Sequence, residues 1–322
     1  MGKANYIKLS VFILIAAVLP VFVNNKYFLS VLVFAGIYAI VANGLCMLMG
    51  YAGQISLGHA GFMAIGGYTS TILTRGYHWH PLLGMAAGVV LAIVAALLIG
   101  LPSLRLKGHY LAMATLGFGQ IIYVSAGAAV NITGGPSGFS GVPYLSAAGF
   151  VFKSELSKYY IVWGIVIATT IISLNIIHSR VGRALKSIHG DEIAANAMGV
   201  NVAFYKIQVF AYSAVLAAIA GSLYVHHMRF VSPTGFNLNK SILLLIMIMS
   251  GGIGSLWGAI IGALIFTLLP EFLGVFQEYD ILLYGIILLG MMIFLPRGLI
   301  GLFSEITAFL KARLNAFTRS SR

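Results

Sequence analysis

The sequence predicts an all-helical, polytopic integral membrane protein. Apolar residues make up 60% of the 322-residue chain and charged residues only 8%, whereas a soluble domain carries about 25% charge. The mean hydropathy is +0.99. Several apolar runs have the roughly 20 residues that a helix needs to cross a bilayer. A chain of this composition has too few charged residues to cover a soluble surface.

Seven apolar runs qualify as membrane-spanning helices; they cover residues 7–23, 28–49, 56–73, 81–101, 110–130, 159–177 and 204–225. The first run is too long, and too poor in small residues at its end, for a cleaved signal peptide, so it is predicted to be a retained helix. A further apolar stretch, 241–269, is interrupted by SGGIGS at 250–255, where glycines favour a turn. The last run, 281–295, ends at LPRG.

The distribution of basic residues predicts how these helices are threaded, because cytoplasmic loops accumulate Lys and Arg. With a cytoplasmic N-terminus and a hairpin over 241–269, the chain has about ten membrane helices, both termini in the cytoplasm, and most of its 19 basic residues inside. A single long crossing would move Arg297 and every later basic residue outside. The hairpin is therefore predicted. Its arms either cross fully or re-enter, and both alternatives return the chain to the same side.

Several function classes are excluded by composition. The net charge of +12 is spread over several loops, whereas nucleic-acid binding needs a clustered basic patch. The single cysteine, Cys46, rules out a disulfide or CxxC metal site within the chain. The histidine pairs at 78/80 and 226/227 have no carboxylates close in sequence, so they are interpreted as interfacial residues and no metal site is predicted. No G-x-x-x-x-G-K-[ST] phosphate cradle occurs, so no ATP hydrolysis is expected in this chain.

The longest polar stretch between spans, residues 179–202, falls on the cytoplasmic side in this topology. The positive-inside rule accounts for the basic residues Arg180, Arg183 and Lys186. It does not account for the segment DEIAANAMG that follows at 191–199. Asp191 as an N-cap, the alanines and a terminating Gly199 predict a short helix. Such a helix suits docking into a groove of a soluble partner. The alternative is an interfacial helix that caps the bundle.

Two spans carry polar residues where hydrocarbon is expected. They are Gln54, Ser56 and His59 in the third span and Thr115 and Gln120 in the fifth. Polar side chains are costly in a membrane unless they face protein or a water-filled path, so these five residues are candidates for a substrate pathway. The accompanying glycines also permit close helix packing. The pathway interpretation is preferred in the third span, and packing through glycines in the fifth.

Four segments resemble one family of membrane proteins. They are GYAGQISLGHAGFMAIGGYTS (50–70), SLRLKGHYLAMATLGFGQII (103–122), NITGGPSGFSGVP (131–143) and SGGIGSLWGAIIGALIF (250–266). In this order they are similar to the LivM-type permeases of branched-chain amino-acid ABC transporters, over roughly 34–299. The residues Glu192, Ala194, Ala195 and Gly199 also resemble the E-x-A-A-x-x-x-G core of the coupling loop in ABC importer permeases, although the later Ile and Leu-Pro of that motif are not recognisable.

The resemblance implies a non-enzymatic permease subunit of an ATP-binding-cassette importer in the bacterial cytoplasmic membrane, moving branched-chain or related small amino acids. It implies a second, LivH-type permease, two cytoplasmic ATPases that use the ATP, and a periplasmic or lipid-anchored binding protein, with no cofactor bound by this chain. The permease domain would cover 1–300, and an amphipathic cytoplasmic tail 301–322. The coupling loop, 179–202, would meet the ATPase through Arg183, Asp191, Glu192, Ala194, Ala195 and Gly199.

Two questions stay open at this point. The turn-rich external loop at 131–143 is either a flexible connection or, by the resemblance, a surface for the binding protein or a cover over the pore mouth. A stand-alone proton- or ion-coupled carrier is the alternative function. Such carriers place Asp or Glu inside spans, whereas all seven acidic residues here lie in loops, tails or span ends, which leaves His59 and His109 as candidate relays.

Overall fold

The computed structural model describes residues 3–23, 25–103, 109–147 and 150–273, and the isolated positions 285, 286, 289, 290, 298, 299 and 301. The described ranges contain twelve α-helices, listed here in chain order: α1 (Lys3–Phe22), α2 (Lys26–Leu45), α3 (His59–Thr71), α4 (Pro81–Ser103), α5 (His109–Ala128), α6 (Val130–Thr133), α7 (Glu155–His178), α8 (Arg180–Gly190), α9 (Glu192–Ala197), α10 (Val202–Met228), α11 (Leu238–Gly251) and α12 (Leu256–Leu273). The predicted span at 281–295 and tail at 301–322 lie largely outside the described residues.

Short elements complete the description. π-helical turns continue α2 over Cys46–Tyr51 and α3 over Ile72–Gly76, and 3₁₀ turns cover Gly135–Ser137 and Pro233–Phe236. Four two-residue strands form two antiparallel pairs: β1 (Phe139–Ser140) with β4 (Phe230–Val231), and β2 (Ser146–Ala147) with β3 (Phe150–Val151).

Five described helical segments are long and apolar enough to cross a membrane: Lys26–Tyr51, Pro81–Pro102, Tyr110–Ala128, Glu155–His178 and Val202–Met228. Shorter apolar helices cover Ile7–Phe22 and Leu256–Phe272. These segments confirm a multi-pass, nearly all-α membrane protein and match the predicted runs closely.

The predicted start of the third span is wrong, because residues 53–58 are not helical and α3 begins only at His59. Gly53 has a φ of +66°, a left-handed conformation that a continuous helix does not contain. The backbone N–H of Leu57 then donates to Thr115 Oγ1 at 3.0 Å, outside the helical hydrogen-bond pattern. The chain therefore passes through the protein as non-helical backbone before α3.

Helix α2 forms the centre of the bundle. Every residue from Leu29 to Met49 is buried except Ser30 and Phe34, which are partly buried. A helix that is apolar on all sides has to be covered on all sides, and α7, α10, α11 and α12 pack around it.

Helix α4 packs through a stripe of small residues that our sequence analysis missed. The buried positions along it recur every fourth residue; they are Gly84, Gly88, Ala92, Ala96 and Gly100. This stripe faces α3 and α10, and a Cβ at Gly88 would lie 3.0 Å from Gly66 Cα. Small residues four apart let membrane helices approach closely, while the opposite face of α4 exposes large apolar side chains such as Leu83 and Leu98.

The predicted break at 250–255 is confirmed. Helix α11 ends at Gly251, α12 begins at Leu256, and the two pack against each other. A Cβ at Gly262 would lie 1.9 Å from the Met247 carbonyl oxygen, and one at Gly258 2.4 Å from that of Gly251. The glycines therefore allow direct backbone contact between the two arms of a hairpin. Helix α11 has 14 residues, or about 21 Å of length, against about 30 Å of hydrocarbon.

The loop at 131–143 is held in place on several sides. β1 pairs with β4 beyond the end of α10. The His226 Nδ1–H donates to the Pro143 carbonyl oxygen at 2.8 Å. Arg229 donates from Nε to the Val142 carbonyl oxygen at 3.3 Å, and its guanidinium lies 4.3 Å from the centroid of the Tyr144 ring. These contacts fasten the loop to the C-terminal end of α10.

Candidate coupling loop and interior polar cluster

The short helix predicted in the loop at 179–202 is present as α9. Asp191 is its N-cap: Oδ1 accepts hydrogen bonds from the backbone N–H groups of Ile193 at 2.8 Å and Ala194 at 3.2 Å. Gly199 follows the helix with a φ of +81°, as a glycine terminator should. An N-cap of this kind contributes about 1 kcal/mol to helix stability.

Helix α8, which precedes it, is amphipathic. Ser179 caps its start by accepting from the Val181 N–H at 3.1 Å. Gly182, Leu185 and Ile188 are buried, whereas Arg183 and Lys186 are exposed. Helix α8 therefore presents its basic residues to solvent and its apolar ones to the bundle.

Glu192 has a partner inside the chain. Lys206, in the first turns of α10, donates from Nζ to Glu192 Oε1. The Lys206 side chain is only 5% exposed, and an ammonium at this depth needs a compensating charge. The ion pair fastens α9 to α10. Sequence reasoning assigned Glu192 to a partner protein and missed Lys206, because nothing in a spacing of 14 residues indicates the contact.

The outer surface of α9 is apolar. Ile193 is 73% exposed and Met198 84% exposed, and neither was singled out in the sequence. Of the predicted coupling residues, Arg183, Asp191, Ala194 and Gly199 lie on the surface; Ala195 is 3% exposed and packs inward. Large apolar side chains exposed to this degree, one in α9 and one at its C-terminal end, suit an interaction surface.

The loop also touches the turn between α2 and α3. A Cβ at Gly53 would lie 3.2 Å from His189 Nδ1, and Lys186 Nζ lies 5.7 Å from the Tyr51 ring centroid. Tyr51 in turn donates from its hydroxyl to the Gly254 carbonyl oxygen at 3.2 Å, in the turn between α11 and α12. A continuous series of contacts thus runs from α8 to the tip of the α11–α12 hairpin.

Four of the five predicted pathway residues are buried inside the subunit. His59 bridges two hydroxyls: its Nδ1 lies 3.0 Å from Ser56 Oγ and its Nε2 lies 2.6 Å from Ser213 Oγ on α10. Thr115 is fully buried, and Gln54 is 3% exposed. This interior polar cluster ties the non-helical backbone before α3 to α5 and α10.

Gln120 is not part of the cluster, because it is exposed on α5. Gln54 also stands apart: its Oε1 is buried and has no hydrogen-bond partner within the described part of the chain. Around the cluster the glycines do pack closely, since a Cβ at Gly58 would lie 2.3 Å from the Thr115 carbonyl oxygen. Close packing and polar burial therefore occur together in the same segment, both against Thr115.

A bundle of apolar helices, with an interrupted helix and a short capped helix exposed on its surface, is typical of a polytopic membrane transport protein. The chain belongs to the family described as "Branched-chain amino acid transport system / permease component", whose model matches residues 27–295. This assignment confirms the resemblance drawn from the four sequence segments.

Three relatives illustrate the similarity. The high-affinity branched-chain amino acid transport system permease protein LivM of Escherichia coli K12 is 31% identical over 311 residues, covering 89% of this chain and 73% of the relative. The probable LivM permease of Methanocaldococcus jannaschii is 24% identical, covering 84% and 92%. The LivH permease of Escherichia coli K12 is 27% identical over 284 residues, covering 82% and 91%.

Proposed function

We propose that this chain is a permease subunit of an ATP-binding-cassette importer that moves branched-chain amino acids inward across a bacterial cytoplasmic membrane. The observation that carries the proposal is the 31% identity to LivM over 89% of this chain. The helical, multi-pass fold agrees with a permease, and ATP is hydrolysed on separate subunits.

The proposed pore contains two permeases. The chain is similar to LivH as well as to LivM, so a LivH-type partner with a related fold would complete a pseudo-symmetric pair. Each subunit in this arrangement has about ten membrane helices and both termini in the cytoplasm. Support comes from the bias of basic residues and from the turn between α11 and α12.

Two cytoplasmic ATPases dock on the loop at 179–202. Ile193 and Met198 supply the apolar contact, and Arg183 supplies a positive charge at its edge. Asp191 acts by capping α9 and Glu192 by anchoring it to Lys206. Movement of the ATPases then shifts α8 and α9 as a unit, and the contacts through Tyr51 and Gly53 carry that shift into the membrane.

The substrate pathway runs along the interrupted start of α3. Non-helical backbone at membrane depth is tolerated where it is buried in protein or lines a water-filled cavity, and an alternating-access transporter needs both arrangements. Four polar side chains are enclosed in this structure and line the path when the segment at 53–58 moves. They are Gln54, Ser56, His59 and Thr115. Gln120 faces the second permease. On the opposite side, the ordered loop at 131–143 receives a periplasmic or lipid-anchored binding protein.

The experiment is isolation of the chain from native membranes in mild detergent, with mass identification of bound proteins and reconstitution into liposomes. We expect a second permease and two ATPases, and leucine uptake that requires both ATP and the binding protein. A chain recovered alone, which takes up leucine on a proton gradient without ATP, would instead identify the stand-alone carrier.

A further inference from the structure

Lys240 is a basic residue of the bundle with no acidic partner among the residues that the structure describes. It lies in the first turn of α11, where Nζ donates to the Tyr38 hydroxyl at 2.7 Å. The ammonium lies 4.7 Å from the ring centroid of Tyr38 and 5.9 Å from that of Tyr224. Its two aromatic neighbours supply polarisable surface but no compensating charge.

Lys240 and Lys158 are partly buried and Lys206 is buried, but Lys158 and Lys206 both have acidic partners. Lys158 forms an ion pair with Glu155 at 2.7 Å, and Lys206 forms one with Glu192. Taking an ammonium out of water costs several kcal/mol unless an opposite charge compensates it. Among the described lysines whose side chains are not exposed, Lys240 therefore differs in lacking an acidic partner, and this difference calls for a functional explanation.

The depth of Lys240 matters as well. Its partner Tyr38 is 12 residues beyond Lys26, the first residue of α2, or about 18 Å along the helix, which is deep in a hydrocarbon layer about 30 Å thick. The chain reaches this depth because the turn Pro233–Phe236 dips inward: Pro233 and Phe236 are buried, and the Phe236 ring packs 5.7 Å from that of Tyr224. An ionisable residue at such a depth marks an ion or substrate path by default.

Two helix starts add positive potential at the same place. Helix α11 begins here, with Asn237 Oδ1 accepting from the Lys240 N–H at 3.1 Å. Helix α3 begins beside it, since the Ala60 N–H donates to Ser241 Oγ at 3.1 Å. Helix N-termini carry partial positive charge, and discontinuous helices in transporters direct such ends at the anionic groups of substrates. The lysine and both helix starts favour an anion.

The first turn of α11 also reaches the subunit surface. Asn239 is exposed, and Lys240 itself is only partly buried, so the ammonium keeps some access from the surface of the subunit. We propose that the Lys240 ammonium, between the starts of α3 and α11, binds the carboxylate of the amino acid during its passage. This inference rests on the proposed importer function and adds a binding residue to it.

The test uses the complete importer in liposomes with its binding protein. Lys240→Met should reduce leucine uptake by about tenfold or more, because a hydrogen bond to a charged group is lost, while the complex still assembles. Lys240→Arg should keep a large part of the uptake, since a guanidinium also binds carboxylates. The matched control is Lys153→Met, which removes an exposed positive charge on the same predicted external side and should transport normally.

A second readout reports the carboxylate directly. Leucine bound to the detergent-solubilised complex, without binding protein, should be displaced by isocaproate, which keeps the carboxylate and lacks the amine. Isoamylamine, which keeps the amine and lacks the carboxylate, should not displace it. The Lys240→Met variant should lose leucine binding. If Lys240 had only a structural role, an assembled Lys240→Met complex would still bind leucine, and isocaproate would still displace it in preference to isoamylamine.

The proposal is overturned if Lys240→Met takes up leucine within about twofold of the wild type, or if the amine competes as well as the carboxylate. If Lys240→Met fails to assemble, Lys240→Arg provides the test. An assembled Lys240→Arg complex from which isocaproate no longer displaces leucine would overturn the site, whereas one from which isocaproate still displaces leucine would support it. A wild-type complex that does not import branched-chain amino acids would refute the proposed function, whereas normal import by Lys240→Met would refute only the carboxylate site.

Discussion

Individual glycines set the distance between the central helices. A Cβ at Gly221 on α10 would lie 1.9 Å from the Met63 carbonyl oxygen on α3, and a Cβ at Gly66 would lie 2.1 Å from that of Ala218. Both distances are far below any tolerable contact, so the two backbones touch directly. Association of membrane helices relies on such packing because lipid supplies no hydrophobic driving force between helices.

Gly221→Ala should therefore destabilise the protein. Overpacking a well-packed contact costs about 1–3 kcal/mol, and here the clash is with backbone that cannot rotate away. We expect a lower midpoint of thermal unfolding in detergent and a lower yield of inserted protein.

Gly164→Ala on α7 is the matched control, because a Cβ there meets nothing within 4 Å and alanine favours a helix by up to about 1 kcal/mol over glycine. Equal stability of the two variants would show that the α3–α10 contact is looser than described.

The two adjacent acidic residues of the loop show what residue-level reasoning reached and what it missed. The N-cap at Asp191 follows from local rules and was predicted. The partner of Glu192 was not, because Lys206 belongs to the next helix and its burial depends on how α10 packs.

At the scale of elements, α9 is too short to be stable by itself. Its six residues fall far below the length at which an isolated helix forms in water, so the Asp191 cap and the Glu192–Lys206 pair hold it in shape. The helix can transmit force only if it stays rigid. Its cap is therefore expected to matter for coupling more than the charge of Asp191.

Substitutions at Asp191 separate these roles. Asp191→Asn keeps a side-chain oxygen that accepts from the backbone, whereas Asp191→Ala loses it at a cost of about 1 kcal/mol. We expect Asn to preserve most of the ATPase stimulation by loaded binding protein and Ala to reduce it several-fold, both measured in the reconstituted importer. If Asn is as damaging as Ala, the negative charge itself meets the ATPase and the capping role is insufficient.

The elements also show where sequence patterns mislead. Hydropathy placed the third span at 56–73, but hydropathy does not register that Leu57 N–H bonds to Thr115 or that Gly53 adopts a left-handed conformation. The stripe of small residues on α4 was present in the sequence at four-residue spacing and was detectable as small-xxx-small packing.

For the whole molecule, the threading through the membrane is the property to test. In the predicted topology Lys153 is outside, and Asn196 and the hairpin tip at Gly254 are in the cytoplasm. All three positions are exposed in the structure. The single native cysteine, Cys46, is buried and donates from Sγ to the Ile253 carbonyl oxygen at 3.3 Å, so Cys46→Ser removes the thiol while keeping a donor.

In that background, single cysteines at 153, 196 and 254 report sidedness. A membrane-impermeant thiol reagent should label position 153 in intact cells, and positions 196 and 254 only after the membrane is opened. Labelling of 254 from outside would contradict the hairpin and the positive-inside count together. Position 196 serves as the internal control, since the proposed coupling role requires the loop at 179–202 to be cytoplasmic.

The sequence by itself determined the membrane class, most helix boundaries, the break at 250–255, the capped helix at Asp191 and the family. These follow from composition, periodicity and local backbone preferences, which act over a few residues. Only the tertiary structure decided that Lys206 neutralises Glu192, that His59 joins Ser56 to Ser213, and that Lys240 reaches Tyr38 across 202 residues of sequence. Such contacts depend on which helices touch and at what height, and within apolar helices almost any neighbour satisfies the hydropathy pattern equally well.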